Sequence, residues 1–316
     1  MDEETRSSHP PEAEESTEIL SSSKTPQLIR RLGIAGLVDL HTHFLPPRVT
    51  AKVRAQFDAA GPLIGRPWPL HYRDTDEALV GVLRDLGVRR FTALAYAHRP
   101  GMAEFLNDWS AGFAERVPEA ARCATFYPEE SAACYVADRV AGGAEVWKIH
   151  VQVGAFDVRD PLLDEAWGVL ADAGSPVVIH AGSGPVATEF TGPAPVAELL
   201  TRHPRLRLVI AHAGAPEYEE FLGLAERYER VGLDTTMVFT DFFEELGGAY
   251  PPTLLPRLRE LGLAGNVFLG SDFPNIPYPY EHQLDVLERL DLGEAWLRAV
   301  LWSNGAAMLG RPRSVG

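Results

Sequence analysis

Five side chains able to hold a cation or move a proton stand at the ends of apolar runs. They are His41 and His43 in GLVDLHTHFLPP (36–47), His180 in VVIHAG, His212 in VIAHAG and Asp272 in FLGSDFP. Buried imidazoles need partners. His41 and His43 are two residues apart, so on a strand both project to one face. Imidazole nitrogens joined by a carboxylate are a donor set that suits zinc or a similar divalent ion. A single histidine at a strand end is ordinarily a hydrogen-bonded packing residue. Five such groups at matching positions are more than packing asks for.

Groups so far apart in the chain meet only if the fold gathers strand ends. Eight β-type runs are legible: LVDLH (37–41), FTALAY (91–96), RCATFY (122–127), EVWKIHV (145–151), PVVIH (176–180), RLVIAH (207–212), VGLDTT (231–236) and VFLGSD (267–272). Most are continuous in Val, Ile and Leu, as parallel strands covered on both faces require. Helical patterns lie between them at 75–87, 102–118, 163–174, 196–204 and 218–230, several stopping at Gly or before Pro. Eight βα units predict a closed (β/α)8 TIM barrel, whose working face is the C-terminal end of its strands. The alternative, an open doubly wound sheet, lacks its Gly-rich phosphate fingerprint. VIHAG and IAHAG echo each other with their histidines 32 residues apart, close to the roughly 31 residues of one barrel unit. The five groups are therefore expected at one mouth.

Composition narrows the partners. The 316 residues are 46% hydrophobic and 23% charged, with a net charge of −15. These are globular proportions, and the excess of acid argues against nucleic acid or an anionic membrane as a partner. No run reaches the roughly 18–20 apolar residues of a membrane span. The start of the chain does not read as a signal peptide. Residues 1–18 carry seven carboxylates against one arginine, so residues 1–26 are expected to be a disordered acidic tail and 27–316 the barrel. Cys123 and Cys134 form no CxxC pair and are read as reduced core thiols of a cytoplasmic protein.

VDLHTHFLPP, then VVIHAG, VIAHAG and FLGSDFP, resembles the amidohydrolase superfamily. The resemblance is narrower to its amidohydrolase-related branch, which also contains aminocarboxymuconate-semialdehyde decarboxylase and related decarboxylases. It spans about residues 36–310. It implies that His41, His43, His180 and Asp272 bind one divalent metal ion, zinc before others, and that His212 is the acid/base or carbonyl-polarising histidine behind them. In those roles Asp272 would take the proton of a metal-activated water and His212 would hydrogen-bond the developing oxyanion. The implied activity is a metal-dependent hydrolase of a small cyclic amide, ester or lactone. The alternative is non-oxidative decarboxylation of a small aromatic or unsaturated acid.

Further residues are placed around that centre as substrate contacts. Lys148 and His150 share a face of the fourth strand in VWKIH; Lys148 is read as a substrate-facing or structural ammonium rather than a bridge between two metals. The Gly-, Pro- and aromatic-rich insertion at 59–74 is read either as a lid bringing Arg66, Trp68, His71 and Tyr72 over the mouth or as an ordinary rim loop. Arg99, after the second strand, is a candidate partner for a substrate carboxylate. Phe273, Asn275 and Tyr278 follow the eighth strand and are expected to line the pocket. Asp39 is read as a partner one layer below His41. Phe242, Phe243 and Tyr250 are read either as exposed aromatics that mark a homo-oligomer interface or as a loop packed on its own barrel.

Overall fold

The computed structural model describes residues 24–310. The expected tail lies outside them as far as residue 23. Its last three positions are a correction, since Lys24, Thr25 and Pro26 open a helix, Lys24–Leu32. That helix forms because Thr25, Leu28 and Leu32 bury one stripe, and Lys24 Nζ reaches Asp285 at 3.2 Å.

Eight parallel strands follow: β1 (Leu37–Asp39), β2 (Val88–Phe91), β3 (Cys123–Thr125), β4 (Val146–His150), β5 (Pro176–His180), β6 (Arg207–Ile210), β7 (Val231–Asp234) and β8 (Val267–Phe268). Strands β3 to β8 pair in chain order, and β1 pairs β2. Backbone bonds close the two gaps. Phe91 N and Ala121 N tie β2 to the start of β3, through Glu119 O and Phe91 O. Leu40 N donates to Leu269 O and Asp272 N to His41 O, each at 2.8 Å, which joins β8 back to β1. The ring is complete, and the fold is the TIM barrel.

The strand alternation decides what the site receives. On β4, Trp147 and Ile149 enter the main core, while Lys148 and His150 face a cavity. On β5, Val177 and Ile179 are core residues and His180 lines the same cavity. Period-2 geometry thus sends apolar side chains outward to the helices and polar ones inward. The covering helices Asp76–Asp85, Ala103–Arg116, Asp164–Ala173, Pro193–Arg202 and Tyr218–Arg227 lie within two or three residues of their patterns. Phe126 packs edge-on to Trp147 and Trp167 between the layers.

At three strand ends the backbone turns left-handed within the run or soon after it. The chain leaves β6 through His212 (φ 53°) and Ala213 (φ 47°), passes Met237 (φ 60°) after β7, and leaves β8 through Asp272 (φ 69°). Left-handed backbone cannot continue a strand, and in non-glycine residues it stores strain of order 1–3 kcal/mol each. β6 and β8 therefore stop before His212 and Asp272. β2 is displaced in the other direction, because Arg89 and Arg90 mask its start. Arg90 is nevertheless buried, donating to Ala120 O at 3.0 Å and pairing with Glu145.

One side-chain expectation is corrected, and a second is decided between its two alternatives. Cys123 is buried but Cys134 is exposed, and both are free thiols. Phe242, Phe243 and Tyr250 are buried rather than exposed, because the segment containing the helix Asp241–Gly247 folds over the barrel mouth and packs them on their own chain. Among the described residues, no helix is long and apolar enough to cross a membrane.

Candidate active site

A cavity of about 450 Å³ opens at the C-terminal ends of the strands. His41, His43, Lys148, His150, His180, His212 and Asp272 all line it. Local contacts fix each of them. Thr42 N donates to Thr92 Oγ1 at 3.1 Å and anchors the link between His41 and His43. Gly270 allows β8 to approach β1. A methyl group there would lie 2.8 Å from His41 Cβ and 2.1 Å from Thr236 Oγ1. Gly182 has a similar need, with Ala215 O 2.2 Å from where its Cβ would be.

The hydrogen bonds behind the histidines set their tautomers. His41 Nδ1 lies 2.8 Å from Asp234 Oδ2, His43 Nδ1 2.9 Å from Leu94 O, and His212 Nδ1 3.0 Å from Thr236 O. Carboxylate and carbonyl oxygens only accept, so each Nδ1 carries the hydrogen and each Nε2 of a neutral ring presents a lone pair. His43 Nε2 lies 2.9 Å and His41 Nε2 3.4 Å from one oxygen, Asp272 Oδ1. Two nitrogen lone pairs facing a carboxylate oxygen repel unless positive charge lies among them, and among the described residues the Lys148 ammonium is hydrogen-bonded to His41 Nε2 alone, at 3.1 Å.

A proton on His41 is a poor candidate. Burial, reinforced by the nearby Lys148 charge, pushes His41 down to about 3. Burial likewise draws His212, His150 and His180 below the usual imidazole value. Burial alone would raise the Asp272 carboxyl, but the imidazoles of His43, His41 and His212 around it hold it below the ordinary range. Donor atoms of His41, His212 and Asp272 lie within 4.8 Å of one another, a set that could hold a metal ion. The donors and their backing partners fit one divalent ion.

A second layer holds this set in place. Asp234 on β7, fully buried, accepts from His212 N at 2.9 Å and Thr236 N at 3.1 Å through Oδ1, and takes His41 through Oδ2. Asp39 accepts from His41 N at 3.1 Å, Ser271 Oγ at 2.5 Å and Tyr280 OH at 2.8 Å, tying both sides of the β1–β8 seam. Burial lifts its carboxyl to about 7. Lys148 Nζ stands 3.1 Å from His41 Nε2. Burial lowers its ammonium to about 8, with Asp234 and Asp272 drawing it back up.

The family model described as Amidohydrolase matches residues 38–311. The chain belongs to the amidohydrolase family. Solved structures share the fold at low identity. An uncharacterised TIM-barrel protein from Bordetella bronchiseptica is 16% identical with a TM-score of 0.68, covering 86% of this chain and 98% of that one. The 5-carboxyvanillate decarboxylase from Sphingomonas paucimobilis is 17% identical with a TM-score of 0.59, covering 88% and 99%. A candidate 2-pyrone-4,6-dicarboxylic acid hydrolase from Pseudomonas putida is 15% identical with a TM-score of 0.58, covering 87% and 98%. No curated protein matches this chain.

Within this amidohydrolase the remaining sequence candidates divide. Trp68 and Asn275 line the cavity, and Trp68 Nε1 donates to Asn275 O at 2.8 Å. Arg66 does not line it; its guanidinium lies 4.1 Å over the Phe242 ring and pairs with Glu245. Arg99 is exposed and outside the lining. Phe273 is fully buried against Phe44, Tyr72 and Tyr280, so it supports the mouth without reaching it. Tyr278 and His71 also lie outside the lining; they rest on His282 and Tyr72 respectively. His180 gives Nε2 to Gly184 O at 3.1 Å and stacks on His150 with ring centroids 3.9 Å apart, leaving Nδ1 as its acceptor.

Sequence reasoning passed over Asp234 and Tyr96 and gave Phe243 no place at the site. Phe243 stacks on His212 at 5.5 Å between centroids, and Tyr96 meets His43 edge-on. Asp234 carried a signal, an acid at the end of the seventh apolar run in VGLD. Its partners on β1 and β6 become visible only in three dimensions.

Proposed function

We propose that this chain is a metal-dependent hydrolase acting on a small cyclic amide, ester or lactone. One observation carries the reading: the Nε2 lone pairs of His41 and His43 converge on a single Asp272 oxygen, with every Nδ1 held from behind. His41, His212 and Asp272 would hold the ion, with His43 beside them as a further donor. A divalent ion there supplies Lewis acidity and brings the pKa of water toward about 7.

The protein's own groups supply the rest. Asp272 is the carboxylate of the cavity lining and can take the proton of the attacking water and return it to the leaving group. The sequence reading gave His212 the oxyanion. With its one hydrogen on Nδ1 facing Thr236 O, a neutral His212 has none on Nε2 to donate. Lys148 takes that role instead, since its ammonium faces the same centre and can stabilise developing negative charge. Trp68 and Phe243 add apolar wall to the cavity.

A second reading, non-oxidative decarboxylation, is favoured by the same lysine. It is the only Lys or Arg among the described lining residues, and it can pair with one substrate carboxylate. Metal-reconstituted protein should release acid from lactones, cyclic amides or esters, and lose that activity on chelation. Carbon dioxide from aryl carboxylates, with no acid release from the first panel, would replace hydrolysis by the second reading.

A further inference from the structure

The cavity has two unlike halves. Its floor carries the histidines, Asp272 and Lys148. Its outer part is walled by Val53 and Phe57 from the helix Pro47–Asp58, by Leu63 and Trp68, by Val153 after β4, and by Leu246. Lys148 and Asp272 are the only charged residues among the described lining. The polar members of the outer wall, such as Gln56 and Gln152, are neutral. Trp68 spends its indole N–H on Asn275 O and packs at 5.2 Å on Phe57, so it offers an apolar face.

The rim repeats this character. Among the described residues, Leu63 (72% exposed) and Val153 (47%) are two of five large apolar side chains open to solvent, and both stand at this one mouth. Apolar surface held open beside a polar reaction centre becomes favourable once a ligand covers it.

We infer that the substrate carries an uncharged apolar substituent, an acyl or alkyl chain, running from the reacting carbon along this throat to Leu63 and Val153. The inference rests on the proposed metal-dependent site for the position of the reacting end. It excludes substrates with a second carboxylate at the outer end, because no described lining residue there would neutralise one.

The test uses the full metal-reconstituted chain and two probe series, n-alkyl hydroxamates and n-alkanols from C2 to C8, with calorimetric or competition affinities. Affinity should rise about threefold per methylene in both series. In the double variant Leu63→Asp/Val153→Asp, built on exposed positions, the gain from the last methylenes should be lost, so that C8 binds no more tightly than C6. Equal affinity for C2 and C8 in both series overturns the inference. So does a dimer that the double variant dissociates, combined with flat chain-length dependence, since a second copy would then cover the rim. If chain length matters but hydroxamates bind no better than alcohols, the apolar throat stands and the metal reading fails.

Discussion

Replacing Asp234 by Asn tests the site through a residue that lies behind the donors. Its Oδ1 accepts two backbone N–H groups, His212 at 2.9 Å and Thr236 at 3.1 Å, and its Oδ2 accepts His41 Nδ1–H at 2.8 Å. An Asn side chain has one acceptor oxygen. Two backbone bonds outweigh one, so that oxygen stays with His212 and Thr236 and the amide NH2 turns to His41. Two donors cannot face each other, and His41 must move its hydrogen to Nε2. That removes the lone pair 3.4 Å from Asp272 Oδ1. Loss of such a backing partner ordinarily costs 10–100-fold in metal affinity, or about 1.4–2.7 kcal/mol. The fold should survive, because the backbone bonds persist. Asp234→Ala instead orphans two buried N–H groups at about 1–3 kcal/mol each, so it should lower the melting temperature as well. Zinc affinity from a chromogenic-chelator competition, with thermal melts of the metal-free variants, separates these outcomes. Wild-type affinity in Asp234→Asn would refute the tautomer reasoning.

Gly270→Ala forces a methyl group within 2.8 Å of His41 Cβ; it should cost about 1–3 kcal/mol of stability and weaken metal binding, both read by the same two assays. Burial pushes the Cys123 thiol up to about 12, whereas Cys134 is exposed. Iodoacetamide at pH 8 should therefore label Cys134 in the native protein and spare Cys123, which is checked by peptide mass spectrometry; equal labelling would contradict the buried position on β3. Asp39→Asn keeps one acceptor for the Ser271 and Tyr280 hydroxyls and should reduce turnover more than stability, measured as kcat beside Tm.

Eight strands, their order and the meeting of His41, His43, His180, His212 and Asp272 were legible because each signal is local: an apolar run, then a polar residue at its end. The spacing of His180 and His212 by one unit needed no structure. Strand limits were less legible where the backbone turns left-handed. His212 and Asp272 continue their runs in sequence but leave the strand in space. The helix Pro47–Asp58 was passed over although Val49, Val53 and Phe57 recur every four residues, so the cover over the mouth begins earlier than the insertion at 59–74. Arg66 and Arg99 were chosen for charge alone. Whether a guanidinium meets substrate or a neighbouring acid depends on loop paths, and here Arg66 pairs with Glu245. Asp234 escaped notice because its importance lies in two partners on other segments, His41 and His212.

Metal content per chain tests the central claim most directly. Chelator-stripped protein, reconstituted with zinc and exhaustively dialysed, should retain about one ion by mass spectrometric analysis, while Asp272→Ala and His41→Ala should each fall toward background without unfolding. Background metal in the wild type, or full occupancy in both variants, would contradict the account.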